Sequence, residues 1–358
     1  MKVKDCMCNE VCCVSPNSTI KDCAKLMMDN HIGCVPICDD SQKVVGVVTD
    51  RDIILRTIAC DKDVKTTPVS DIMSCNVCCC TPNTDINEAE KMMSQNQIRR
   101  IPVIDNNKIV GNINLDNSNI KFIGKNNILY VDNGITLVNS SIEFRGDNSL
   151  VYLCKTSEKI TVDIKLYNNS TIYFGKNIWI NKGVKIVISE QTNLFIGKNC
   201  MIAPECCFRS ADPHIIYDIN TKKRINQSKS IFIGDHVWIG QGIMVLKNAM
   251  VGSGAVIGAK SLITNKRYNS NTIYGGSPAK KIKEGIFFIH DDCHRFLDED
   301  IEKYEYNDTD KYIYNRDDTT TEFEDIENNL RGASIKDRID YLDKITLNND
   351  KNRFYIGD

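Results

Sequence analysis

The chain lacks any run of about 18 apolar residues, so no segment is built to cross a bilayer as a helix. An apolar leader is missing too. The first residues, Met1-Lys2-Val3-Lys4-Asp5, are mostly polar, and a cytoplasmic protein is the expectation. An excess of one charge is also absent, because 45 Lys and Arg stand against 47 Asp and Glu. Neither nucleic acid nor an acidic membrane surface is therefore an expected partner. Cysteine is plentiful at 17 residues, but the number is odd and twelve fall within the first 80 positions. That distribution does not describe a secreted disulfide scaffold, and such cysteines serve as small buried apolar residues in a reducing compartment. Cys6-Met7-Cys8, Cys12-Cys13 and Cys75-Asn76-Val77-Cys78 have metal-like spacing. Neighbouring side chains on extended backbone point to opposite faces, however, so no metal site is expected.

What the chain does contain is two internal repeats. The first has a period of 66: Val3, Met7, Pro16, Ile20, Met27, Ile32 and Pro36 return as Val69, Met73, Pro82, Ile86, Met93, Ile98 and Pro102. Helices should open after Pro16-Asn17-Ser18-Thr19 and Pro82-Asn83-Thr84-Asp85, and strands should follow at Cys34-Val35-Pro36-Ile37 and Val44-Val45-Gly46-Val47-Val48. This α/β segment, 1–117, resembles a tandem pair of cystathionine-β-synthase (CBS) domains, a module that commonly binds adenosine nucleotides and regulates an attached domain. The family's ribose-phosphate motif matches Gly46-Val47-Val48-Thr49-Asp50-Arg51-Asp52. The resemblance implies that Asp52 accepts the ribose hydroxyls and Thr49 faces a phosphate of an adenine nucleotide. Thr49 and Asp52 equally fit a capping box on the helix that follows. In the second copy the motif decays to Gly111-Asn112-Ile113-Asn114-Leu115-Asp116-Asn117, and a β-rich pattern replaces the following helix.

The second repeat has a period of six. Ile233, Ile239, Val245, Val251, Ile257 and Ile263 recur without interruption, and glycine follows at 234, 240, 252 and 258. Neither a 3.6-residue helix nor simple alternation gives this spacing. One buried aliphatic per six residues fits a solenoid of short strands joined by tight turns, with 18 residues to a three-sided coil. Phe174-Ile180-Ile186 and Ile196-Ile202-Phe208 keep the same spacing, whereas 120–165 is ragged. The pattern resembles the hexapeptide-repeat acyltransferases, which implies an all-β left-handed parallel β-helix over 118–285.

Between Phe208 and Ile231 the register stops for the polar insertion Arg209-Ser210-Ala211-Asp212-Pro213-His214, which continues to Arg224-Ile225-Asn226 and is followed by Asp235-His236-Val237-Trp238-Ile239-Gly240. Together these resemble the active-site region of polysaccharide and sialic-acid O-acetyltransferases. The resemblance implies a homotrimer with active sites between chains, acetyl-CoA as co-substrate and a hydroxyl of a cell-surface saccharide or its precursor as acceptor. His214 is the candidate base, because a neutral imidazole can take a hydroxyl proton near neutral pH. Asp212 or Asp218 is expected to orient the ring, and Trp238 to line the pocket. His236 is a weaker candidate for the cleft, and His31, His290 and His294 lie outside the motif.

Gly240, Gly258, Ala259, Lys260, Ser277, Pro278, Lys280 and Lys281 resemble the family's CoA-binding stretch, in which small residues admit pantetheine and lysines face its phosphates. The acidic tail, 286–358, should hold one amphipathic helix bearing Ile335, Ile339, Leu342 and Ile345, with 307–327 poorly ordered. Two competing readings remain: a nucleotide-sensing scaffold with an inert trimerising β-helix, and an acetyltransferase for serine or an amino sugar.

Overall fold

The computed structural model describes residues 2–357 except 6, 8–10, 31, 76, 97, 99, 106, 107, 133 and 134. Cys6, Cys8, Asn76 and His31 of the sequence reading lie outside the described residues. Two compact units are present, one comprising 1–122 with 128–139 and the other 123–127 with 140–358.

In the first unit the 66-residue repeat is visible as paired elements. Helix α1 (Ile20–Asp29) starts at the capping residue Thr19 and precedes the antiparallel strands Cys34–Cys38 and Val44–Thr49, after which comes α2 (Asp50–Arg56). In the second copy α3 (Ile86–Gln95) precedes the antiparallel strands Arg100–Asp105 and Lys108–Asp116. Single bridges Val14 to Ile37 and Cys80 to Val103 sit at equivalent places. Two apolar cores form, one around Ile20, Val35, Val48 and Val69, the other around Val3, Ile86, Ala89, Ile101 and Val103, so each draws on a residue of the opposite copy. Cys23 and Cys80 pack in these cores, and burial pushes both thiols up to about 11. Where Thr49 turns the first copy into α2, the second continues as strand through Leu115 and Asp116. The helix missing from the second motif is thus missing from the fold.

The second unit is a parallel solenoid with three sides. The first side stacks Ser141–Phe144, Val162–Leu166, Val184–Ile188, Cys207–Arg209, Met244–Leu246 and Leu262–Ile263. The second stacks Leu150–Leu153, Thr171–Phe174, Asn193–Ile196, Ile231–Ile233, Met250–Val251 and Arg267–Tyr268. The third runs Trp179–Ile180, Met201–Ile202, Trp238–Ile239, Val256–Ile257 and Thr272–Gly275, and Lys280–Glu284 closes it antiparallel. Late coils repeat every 18 residues, as Val245 pairs with Ile263. Early coils repeat every 22, as Ile142, Ile164, Ile186 and Phe208 pair in turn. The ragged stretch is therefore ordered solenoid with longer corners. Those corners carry Asn126, Asn148 and Asn169 at φ near +55°, a region asparagine tolerates, and the three side chains hydrogen-bond in a ladder.

The tail differs from the sequence expectation. Helices α4 (Asp298–Lys303), α5 (Phe323–Leu330) and α6 (Ile335–Leu347) are present, and 307–327 is neither helix-free nor detached. Phe323 and Ile326 are buried. The reason lies on the second side of the solenoid, whose strands are buried on both faces. Phe323 stacks on Phe232 at 5.4 Å and Phe354 meets Phe195 edge-on at 5.2 Å. The Tyr152 hydroxyl donates to Asp343 at 2.6 Å, and Tyr173 pairs with Thr346 at 2.9 Å. A few aromatic and polar anchors thus dock a chain that is acidic in composition.

Candidate active site

The insertion leaves the solenoid at the end of Cys207–Arg209 and rejoins it at Ile231–Ile233, so it hangs from the corner between the first and second sides. Its backbone is fixed by its own polar side chains. Asn226 accepts from the Ile216 N–H at 2.8 Å and donates to the His214 carbonyl at 2.7 Å and to Asp212 Oδ2 at 3.1 Å. Lys247 donates to Asp212 at 2.5 Å and to the Asn226 carbonyl at 3.2 Å. Arg224 grips Glu190 through two bonds of 2.7 and 2.9 Å, and Ser228 donates to the same carboxylate. The Arg224 guanidinium, helped by the Ser228 hydroxyl, draws Glu190 down to about 2. Two charge pairs and one amide therefore hold the loop.

His214 stands exposed on this frame, and among the described residues neither ring nitrogen is hydrogen-bonded. The orienting role expected of Asp212 is not what this chain draws. Its carboxylate is taken by Lys247 and Asn226, and the Lys247 ammonium holds it below the usual carboxylate range. Asp218 does not orient the ring either, since its Oδ1 accepts from Asn220 N, Thr221 N and the Thr221 hydroxyl within a turn. The Arg-Ile-Asn triplet and Lys247 were the scaffold residues that motif reading left without a role. Asn226 was visible as part of the pattern, whereas nothing in the sequence marks Lys247, which reaches Asp212 from the next coil.

Trp238 lies on the third side, in line with Met201 and Val256, and its side chain is 43% exposed. On a three-sided coil the corner between the first and second sides lies opposite the third side. His214 and Trp238 therefore face away from each other within one chain. His236 does not reach an open cleft: it is 1% exposed, stacked on Phe288 and Tyr312 at 4.1 Å each, and its Nε2 donates to the Phe288 carbonyl at 2.9 Å. Burial pushes its imidazole down to about 4, so it sits neutral in the core at neutral pH. His290 and His294 are exposed, and His294 is paired with Asp292.

The other expected co-substrate residues do come together. Gly240, Gly258-Ala259-Lys260 and Ser277-Pro278 occupy one corner of successive coils, where Gly240 N–H donates to the Ile257 carbonyl and Gly258 N–H to the Tyr274 carbonyl. A methyl group on Gly240 would stand 2.8 Å from Ala259 N, so only glycine lets these coils close up. Lys260 is exposed and pairs with Glu205 at 3.4 Å. Lys280 and Lys281 are exposed on the closing strand, and Lys281 bonds Glu284 at 2.6 Å.

In the first unit the capping alternative is realised. The Thr49 hydroxyl and N–H donate to Asp52 Oδ2 at 2.6 and 2.9 Å, and Asp52 N–H donates to Thr49 Oγ1 at 3.2 Å. Both candidate nucleotide groups are engaged with each other at the start of α2. Among the described residues no three His, Cys, Asp or Glu converge as a metal set, and no helix is long and apolar enough to cross a membrane.

Comparison with known proteins divides the chain the same way. The CBS domain model matches 3–57 and 69–117, and the bacterial transferase hexapeptide (six repeats) model matches 230–265. CBS domain-containing protein YhcV of Bacillus subtilis is 43% identical over 109 residues, which are 30% of this chain and 76% of that protein. Hypoxic response protein 1 of Mycobacterium tuberculosis is 32% identical over 108 residues, with coverage of 30% and 76%. Among solved structures, the polySia-specific acetyltransferase NeuO is 31% identical over 51% of this chain and 91% of its own, with a TM-score of 0.45. The polysialic acid O-acetyltransferase OatWY is 25% identical, with coverage of 52% and 94% and a TM-score of 0.41.

Proposed function

The chain belongs to the CBS domain-containing proteins and carries the bacterial transferase hexapeptide repeat downstream, and from that premise we propose that it is an acetyl-CoA-dependent O-acetyltransferase acting on a hydroxyl of a cell-surface saccharide or its precursor. One observation carries the reading: an exposed, unengaged imidazole, His214, stands on a loop whose backbone is fixed by the Asp212–Lys247 and Glu190–Arg224 pairs and by Asn226. His214 removes the proton as the acceptor oxygen attacks the thioester carbonyl, and returns it to the departing thiolate. Backbone groups along the Gly240, Gly258 and Ser277 corner admit the pantetheine arm, while Lys260, Lys280 and Lys281 face its phosphates. Asp212 acts on the loop rather than on the ring. Thioester cleavage followed with a panel of saccharide, serine and amino-sugar acceptors tests the assignment. An inert scaffold gives no histidine-dependent turnover on any of them.

Because His214 and Trp238 point to opposite sides of one solenoid, the site needs His214 from one copy and Trp238 from another, as side-by-side packing in a homotrimer supplies. Mixed assemblies of His214→Ala and Trp238→Ala chains should therefore recover about a quarter of parental activity, since a random mixture pairs intact residues at about one site in four. Recovery is read after co-refolding equal amounts of the two inactive proteins. No recovery places both residues in a site within one chain.

The CBS pair is the regulatory part of the reading, binding one adenine nucleotide per chain at Thr49 and Asp52. The ribose hydroxyls would take over the Asp52 carboxylate from Thr49. Asp52→Ala should abolish the binding of AMP, ADP, ATP or S-adenosylmethionine seen by calorimetry, while α2 keeps its Thr49 cap and loses only the reciprocal bonds to the Asp52 carboxylate. Undiminished binding by Asp52→Ala would move the nucleotide elsewhere.

A further inference from the structure

Arg209 is a half-buried cation at the root of the loop, and it has no counter-ion among the described residues. It ends the strand Cys207–Arg209, whose alternation buries Phe208 and turns Cys207 and Arg209 outward. Its ladder neighbours are Val187 and Leu246, so apolar side chains flank the guanidinium on both sides. Its Nε is buried and makes no hydrogen bond, and no described residue forms an ion pair with it. The carboxylate that feels the charge of Arg209 is committed, since Asp212 is bonded by Lys247 and Asn226. Withdrawing a guanidinium N–H from water without a partner is costly, so buried charges are paired in stable structures. Arg209 lies five residues before His214 and beside the pair that holds its loop.

We propose that Arg209 is the anion-binding residue of the transfer site, taking a carboxylate or phosphate of one of the two substrates through its planar donor fork. This rests on the acetyltransferase reading. A fork of parallel N–H groups matches two anionic oxygens on one centre, which a lysine ammonium does not reproduce. Two sources fit that chemistry, the phosphates of CoA and the carboxylate of an acidic acceptor sugar.

Calorimetry on the full-length protein with four probes separates them: CoA, pantetheine, glucuronate and glucuronate methyl ester. Arg209→Gln should weaken CoA or glucuronate by roughly 10- to 100-fold, the range of a charge-assisted hydrogen-bond pair. Its uncharged counterpart, pantetheine or the ester, should bind as to the parent. Arg209→Lys should recover only part of the loss. Loss with CoA assigns the phosphates, and loss with glucuronate assigns an acidic acceptor. Unchanged affinity for all four probes overturns the inference while leaving the acetyltransferase reading intact. Unchanged affinity with an altered oligomeric state also overturns it, and makes Arg209 a contact between copies. A parent that binds neither CoA nor glucuronate removes the acetyltransferase reading and the inference together.

Discussion

His214→Ala should lower acetyl transfer by about 10²–10⁴-fold, the scale of losing a positioned general base. The drop should appear in turnover without a matching loss of fold. The imidazole is exposed, and the insertion is held by Asn226, Lys247 and the Glu190–Arg224 pair, none of which bonds the ring. Released thiol from acetyl-CoA measures the rate, and thermal unfolding together with the assembly state supplies the control. Activity within a few fold of the parent would remove the base assignment.

The second large effect is on stability. Arg353 donates to both oxygens of Asp235 at 2.7 and 2.9 Å, the two side chains are 2% and 1% exposed, and the same guanidinium bonds the carbonyls of Ile345 and Asn348. Arg353→Ala leaves a carboxylate buried without its counter-ion, which costs about 3–5 kcal/mol. Pairing it with Asp235→Asn should return a large part of that loss, because the orphaned charge is gone. Urea unfolding of the single and double variants checks both statements. A single variant within about 1 kcal/mol of the parent would mean that the pair contributes little beyond its own desolvation.

The inward aliphatics at 233, 239, 245, 251, 257 and 263 were legible because each occupies the same place on a side, and burial forces their spacing. The coils over 120–165 were not, since four extra residues per turn in Asn-bearing corners break a six-residue count without breaking the stack. A hexad also repeats identically on every side, so the pattern finds His214 and Trp238 but does not say that they face apart. Placing them takes the strand order. Thr49 and Asp52 illustrate a different limit: one spacing suits a ribose and a helix cap alike, and hydrogen-bond partners decide which is drawn. The tail escaped because its anchors lie far back in the chain. Composition registers Asp and Glu, whereas docking depends on Phe323, Phe354, Arg353 and Arg338, whose guanidinium donates to the Asn148 carbonyl at 3.1 Å.

That docking sets an order of events during synthesis. Tyr152, Tyr173, Phe195 and Phe232 form an aromatic stripe along the second side, and what covers it is made long after the stripe itself. Arg353 lies 118 residues after Asp235, so the nascent solenoid exposes this stripe and an unpaired carboxylate until that later segment has been made. Newly exposed apolar surface on a stacked β-structure is a site for aggregation. Residues 323–354 thus shield the solenoid from self-association, and a chain cut before them is sticky rather than merely shortened.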